Sequence, residues 1–214
     1  MATPARKTAH PRDLIEEITE EVSTEEEPID YKDEPTDRHV VCIILTPDLK
    51  NVAWVFNLDY PLGKGAGWGI VGGRSEPNES VTETATREIR EETGIKRFEI
   101  LDVVRQGWIY PENKERYMRT ILICVAGDRG NPKTKAVTEK GIPQTREFRW
   151  FPLDKLPDRS SVGEERIYYR HLNTLFEIIN SERIREIELE HWAKIRELKD
   201  AWDEWDLEHW AKRD

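Results

Sequence analysis

The chain has 214 residues, a formal net charge of −10 and a pI near 5.2, and 36% of its residues are charged. That length exceeds the roughly 150 residues of a typical single core, which leaves room for one domain plus extensions, and the acidic balance excludes a general nucleic-acid-binding surface, which needs a basic footprint. Two cysteines, no apolar run approaching about 18 residues and no apolar N-terminal segment speak against a disulfide framework, a membrane span and a secretory leader, and for a soluble, cytoplasmic protein.

In chain order, residues 1–38 are rich in Glu, Asp, Thr and Pro, nearly an acidic run from Glu16 to Glu27, and read as a disordered tail. Within it, Pro11 to Ile18 offers a short helix that could dock. Apolar β-branched runs at 40–45 and 52–56 flank Thr46-Pro47-Asp48, a hairpin signal. A glycine-rich approach, Leu62 to Gly67, carries Lys64, which can meet a phosphate or simply be an exposed loop lysine. A helix is predicted over about 80–93, strands near 97–106, 116–126 and 146–151, and a second helix over 163–180. Cys42 and Cys124 fall inside apolar strand patterns and read as small buried hydrophobes. The expected class is α/β, helices sandwiching a mixed sheet.

The segment from Gly73 to Ile95 carries the chemistry. Gly73 is followed after five residues by Glu79, and after seven more by Arg87-Glu88-Ile89-Arg90-Glu91-Glu92-Thr93-Gly94-Ile95. On a helix, Glu88, Glu91 and Glu92 stand at i, i+3 and i+4 and share one face. Three crowded carboxylates ask for a cation, and all-oxygen ligands suit Mg²⁺ or Mn²⁺. Gly72, Gly73 and Gly94 bracket the helix as positions able to take positive φ or let backbone approach closely, each end being read as a tight turn. Arg87 can pair with Glu79 or with Glu91 one turn on. The bland alternative is a solvated Glu/Arg helix laced with ion pairs.

This spacing resembles the Nudix box, G-x5-E-x7-R-E-U-x-E-E-x-G-U with U aliphatic, at every specified position. The lead-in Trp68-Gly69-Ile70-Val71-Gly72-Gly73 is similar to the family's W-G-x-P-G-G, departing at Val71, and Phe148 to Pro157 is similar to its last core strand and following turn. The resemblance covers about residues 38–180. It implies an α/β/α sandwich around a mixed sheet and metal-dependent hydrolysis of a diphosphate in a nucleoside diphosphate linked to another group. It also implies Mg²⁺ (or Mn²⁺) held by Glu88, Glu91 and Glu92 with the Gly72 carbonyl, support from Arg87, Glu79, Gly73 and Gly94, and a catalytic base at Glu92, then Glu139, with Glu147 the other loop-side carboxylate considered.

The resemblance implies a nucleotide-type small-molecule substrate. Pro111, 16 residues after the box, is similar in spacing to ADP-ribose pyrophosphatases, while Tyr110 resembles dinucleoside polyphosphate hydrolases. ADP-ribose or a nucleotide sugar leads, ahead of nucleoside triphosphates, dinucleoside polyphosphates and capped RNA. Trp68, Trp108 and Tyr110 are candidate substrate contacts. Trp54 and Phe56 could also stack on a base, or fill the core as strand aromatics more commonly do. The competing class is a nucleotide-binding or interaction module that does not cleave; such modules usually show a broken box.

Residues 181–214 read as a Trp-rich amphipathic helical extension. Leu189 to Lys194 recurs as Leu207 to Lys212, and an 18-residue offset is five helical turns, so the copies share an azimuth. A second row, Ile195, Leu198, Trp202 and Trp205, steps like a heptad seam. That seam can pack on its own domain, join a homodimer or bind a protein partner. His191 and His209 are too far apart to share one ion.

Overall fold

Val40 to Leu45 is an unbroken apolar run, and a strand of that kind has to be covered on both faces. The computed structural model describes residues 38–58, 66–109, 117–131, 144–156 and 169–210. The acidic segment, including the helix expected at Pro11 to Ile18, and Lys64, Tyr110, Pro111 and Glu139 lie outside the described residues. Six strands, β1 (Arg38–Leu45), β2 (Asn51–Asn57), β3 (Gly67–Arg74), β4 (Phe98–Ile109), β5 (Tyr117–Ala126) and β6 (Thr145–Pro152), form one sheet in the order β4-β5-β1-β3-β2-β6. The β1–β5 pair is parallel and the others antiparallel, so the sheet is mixed.

Helix α1 (Val81–Thr93) covers one face, and α2 (Tyr169–Ile178) with most of α3 (Ser181–Trp210) covers the other, while Trp202 of α3 joins the α1-side cluster. The period of two along β1 sorts its side chains accordingly. Val40, Cys42 and Ile44 join Ala85 and Ile89 of α1, while Val41, Ile43 and Leu45 join Leu175 of α2 and Ile187, Ile195 and Leu198 of α3. This is the α/β/α sandwich with a C-terminal helix. Cys42 and Cys124 are free thiols buried on the α1 side. Among the described residues no helix is long and apolar enough to cross a membrane.

One strand departs from the sequence reading. Residues 67–74, taken for a glycine-rich lead-in ending in a turn, are strand β3, inserted between β1 and β2. The 46–50 turn does join β1 to β2, but they pair only at Leu45↔Val52. Beyond it β3 takes over, pairing with β2 through Gly67 to Ile70 and with β1 through Val71 to Arg74. Three mutually antiparallel strands cannot all be straight, and the change of partner falls at Ile70–Val71. There the Ile70 N–H donates to Nδ1 of His171 at 2.9 Å.

The helical extension packs on its own domain. Ile195, Leu198 and Trp202 are buried, each worth about 1.5–3 kcal/mol of apolar burial, and Trp202 meets Trp150 edge-on at 5.5 Å. Arg183 ties the start of α3 to Asp102 of β4, and Arg129 pairs with Asp206 near its end. The seam that the sequence offers to a second subunit is therefore occupied by the chain's own sheet, and the row that stays exposed is the repeat's: Leu189, Trp192 and Leu207. At His191 the backbone leaves helical geometry (φ −120°, ψ 17°), a kink that the repeat pattern does not announce.

Candidate active site

Helix α1 starts where its sequence says it should. Ser80 accepts from the Glu83 N–H at 3.2 Å, and Glu83 accepts from the Ser80 N–H at 2.9 Å, a reciprocal capping box. Gly94 ends the helix in the left-handed region (φ 69°), donating to the Arg90 carbonyl. The buried stripe Ala85, Ile89 and Glu92 fixes which face meets the sheet.

Arg87 is the hub. Its Nε and Nη2 grip the two oxygens of Glu79, both at 2.9 Å. Nη2 also donates to the Arg74 carbonyl at 2.8 Å, and Nη1 donates to Glu88 at 2.7 Å and lies 3.6 Å from Glu91. Bidentate guanidinium–carboxylate pairing is both strong and directional. Glu79 in turn accepts from the Glu76 N–H and the Thr84 hydroxyl. The Arg87 bond, above all, holds the Glu79 carboxyl down to about 2.

Glu88 and Glu92 face the opposite situation. Burial pushes both carboxyls up. Charge from Glu91 adds to the rise at Glu88, charge from Glu88 adds to it at Glu92, and Arg87 opposes it at both. The Gly72 N–H donates to Glu92 Oε2 at 3.0 Å. Gly72 holds φ +151°, and a Cβ there would stand 2.2 Å from the Val40 carbonyl oxygen. At Gly73 a Cβ would stand 2.0 Å from Glu88 Oε1, so only glycine leaves room for that carboxylate.

The three glutamates have the spacing expected of them, yet their carboxylates diverge: Glu88 toward Arg87, Glu92 to the Gly72 N–H, and Glu91 outward with its side chain 53% exposed. Among the described residues no three His, Cys, Asp or Glu side chains converge as a cation cluster. The donor chemistry nonetheless fits a hard divalent ion: the side-chain donors are carboxylate oxygens, buried Glu92 and half-buried Glu88 repel each other, and Gly73 keeps space beside Glu88. At Gly72 it is the N–H whose contact is seen, toward Glu92.

The NUDIX domain family model matches residues 35–172, more than half of the chain. The chain belongs to the Nudix family. A relative described as "NAD-capped RNA hydrolase NudC" from Vibrio atlanticus (strain LGP32) is 26% identical over 150 residues, covering 70% of this chain and 50% of the relative. The chain thus spans about half that relative's length. Among solved structures, a NUDIX hydrolase from Nitrosomonas europaea is 18% identical with a TM-score of 0.45, covering 75% of this chain and 90% of its own. A UDP-X diphosphatase is 17% identical with a TM-score of 0.44, covering 86% and 74%.

Other expected site residues of this Nudix domain are placed as follows. Trp68, a candidate substrate contact, is instead a core side chain, 2% exposed and edge-on to Phe56 and Phe151. Trp54 and Phe56 are likewise core. Each alternates inward on β2 or β3 against the α2/α3 layer, which is why aromatic content alone misleads. Trp108 lies on β4, opposite Met118 of β5. Glu147 on β6 pairs with Arg149 at 3.0 Å. Sequence reading overlooked the Ser80/Glu83 box, although S-x-x-E is legible there, and Thr84 and His171, for which no local signal exists.

Proposed function

We propose that this Nudix protein hydrolyses a phosphoanhydride bond, cleaving the diphosphate of a nucleoside diphosphate linked to another group, with Mg²⁺ or Mn²⁺ as cofactor. The observation that carries the reading is the Glu79–Arg87–Glu88 network beside buried Glu92, since a complete and tightly held set of box carboxylates favours an enzyme over a binding module that has lost turnover. Glu88, Glu91 and Glu92, with backbone at Gly72, would hold the ion. When bound, such an ion neutralises charge building on the phosphoryl oxygens and eases deprotonation of water.

The chain's own residues supply the rest. Arg87 positions Glu88 through Nη1 and keeps Glu79 ionised as its anchor. Glu92 is the first candidate base, then Glu139: the Gly72 N–H occupies Oε2, which leaves Oε1 to take the proton from an attacking water, and burial lifts its carboxyl well above the ordinary carboxylate range, making it the more basic. ADP-ribose and nucleotide sugars head the substrate list. The NAD-capped RNA relative supports adding dinucleotide diphosphates such as NAD and NAD-capped RNA. A cytoplasmic setting belongs to the same reading.

The test is a substrate panel of ADP-ribose, a UDP-sugar, NAD, NAD-capped RNA, a dinucleoside polyphosphate and nucleoside triphosphates, assayed with Mg²⁺, with Mn²⁺ and with chelator. Turnover on at least one diphosphate that vanishes with chelator is expected. Tight nucleotide binding without turnover under every condition would mean a binding module instead.

A further inference from the structure

A second polar cluster lies on the other face of the sheet, under α2. His39 opens β1, and the parallel register sets it directly against Arg119 of β5, while the antiparallel register sets it against Arg74 of β3. Both His39 and Arg119 are half-buried and point to the α2 side, since their strand neighbours Val41 and Ile121 belong to the α2/α3 core. His171 of α2 closes the cluster, bound through Nδ1 to the Ile70 N–H.

Two buried polar atoms here have no hydrogen-bond partner among the described residues: Nδ1 of His39 and Nε of Arg119. Native proteins seldom bury such groups unsatisfied, because each costs about 1–3 kcal/mol. Two in one register pair, one on a guanidinium, are harder to tolerate. The guanidinium charges of Arg119 and Arg74 act on His39, and that of Arg119 acts on His171, so the standing charges here are cationic. With burial as the larger cause, they hold the imidazoles down to about 4 and about 3, neutral at physiological pH with an N–H to donate.

We propose that Arg119 and His39, backed by His171, form an anion subsite that takes a phosphate of the nucleotide substrate. Resting on the hydrolase reading above, this assigns specificity-determining residues to the same ligand. Its position supports that link: Arg74, opposite His39, offers its carbonyl to Arg87, and Gly73 beside it abuts Glu88, so the subsite and the box lie at the same ends of β1 and β3, on opposite faces of the sheet. Donors on two adjacent strands can converge on one phosphate, as a guanidinium and an imidazole N–H commonly do.

The experiment measures binding without turnover: adenosine, AMP and inorganic phosphate titrated by calorimetry into the full chain in chelator. Variants are Arg119→Gln, Arg119→Lys and His39→Asn, each with a melting curve. Wild type is expected to bind AMP at least tenfold more tightly than adenosine and to bind inorganic phosphate. Arg119→Gln should lose that margin and the phosphate binding but keep adenosine affinity within twofold, and Arg119→Lys should recover part of it. Because it removes a buried, unpartnered Nε–H, Arg119→Gln should also melt at or above the wild-type temperature, where a merely structural arginine would lower it. Equal affinity for AMP and adenosine in wild type, phosphate binding that survives Arg119→Gln, or a parallel loss of adenosine binding would overturn the subsite. Should Arg119→Gln fail to fold, His39→Asn and Arg119→Lys carry the same comparison. If no substrate is hydrolysed yet the AMP margin depends on Arg119, the hydrolase reading falls and the subsite stands; if turnover is normal and its KM ignores Arg119, only the subsite falls.

Discussion

Replacing Gly73 with alanine isolates the position of one carboxylate from the stability of the fold. The new Cβ would lie 2.0 Å from Glu88 Oε1 and 2.4 Å from its Cδ, inside the 3.0 Å that such contacts never undercut, so the carboxylate must retreat by at least about 1 Å. What retreats is the end of a flexible side chain, and Gly73 does not hold positive φ, so alanine is allowed by the backbone. Losing part of the Arg87–Glu88 bond costs about 1–2 kcal/mol, offset by the ~0.4–1 kcal/mol gained when alanine restricts the unfolded chain. The melting temperature should therefore move by no more than about 4 °C. A reacting group misplaced by about 1 Å costs on the order of 10²-fold in rate, so kcat should fall about 100-fold on whichever substrate the panel selects. Gly72→Ala is the contrast. There the clash is with backbone, the Val40 carbonyl at 2.2 Å, and φ is +151°, so strain and overpacking together should cost about 3–5 kcal/mol and lower the melting temperature by roughly 10 °C. A Gly73→Ala protein that keeps turnover within about threefold of wild type would refute the placement of Glu88 in the site.

Glu91→Gln should slow turnover by a factor on the order of 10² or more at saturating Mg²⁺ with the fold intact; near-normal kcat there would remove Glu91 from the ligand set. Glu92→Gln keeps an acceptor for the Gly72 N–H while deleting a carboxyl whose ionisation burial opposes, so the metal-free protein should gain about 1 kcal/mol at neutral pH and lose activity; a lower melting temperature would contradict the burial argument. Because the Glu79 carboxyl is lowered to about 2 by Arg87, its stabilisation is complete above its ordinary value near 4.5 and drains away as pH falls toward 2. The melting-temperature gap between wild type and Glu79→Gln should accordingly be wide at pH 6 and close through that acid window. Leu198→Glu or Trp202→Glu places a charge against the chain's own sheet and should cost about 3 kcal/mol, roughly 6–12 °C, without changing sedimentation mass; a mass change with an unaltered melt would instead locate the seam between subunits.

What the sequence makes legible, and what it hides, follows from how local each cause is. The helix of the box is written in neighbouring residues: Ser80 and Glu83 at one end, Gly94 at the other, Ala85, Ile89 and Glu92 between them at helical spacing. Strand β1 is also plain, not from period but because its six-residue apolar run is short, rich in Val and Ile, and ended by Thr46-Pro47-Asp48. Strand β3 is not. Four of its eight residues, Gly67, Gly69, Gly72 and Gly73, carry the turn-former's signature, and for the last three the reason for being glycine lies elsewhere in the chain: His171 and Asn57 against Gly69, the Val40 carbonyl against Gly72, Glu88 against Gly73. The same distinction divides the site. Spacing put Glu88, Glu91 and Glu92 on one helix, but where their carboxylates point depends on Arg87, on Gly72 and on the surrounding burial. Trp68 shows the converse error, a residue that looks exposed for recognition in a glycine-rich stretch and proves to be packed between Phe56 and Phe151 because β3 is a central strand. A glycine cluster next to acidic helix spacing is therefore better read as backbone making room for side chains from other elements than as a flexible loop. On that reading, the half-buried Arg119–His39 pair on the sheet's other face is the kind of feature a periodicity search cannot find, because only the parallel register of β1 on β5 brings the two residues together.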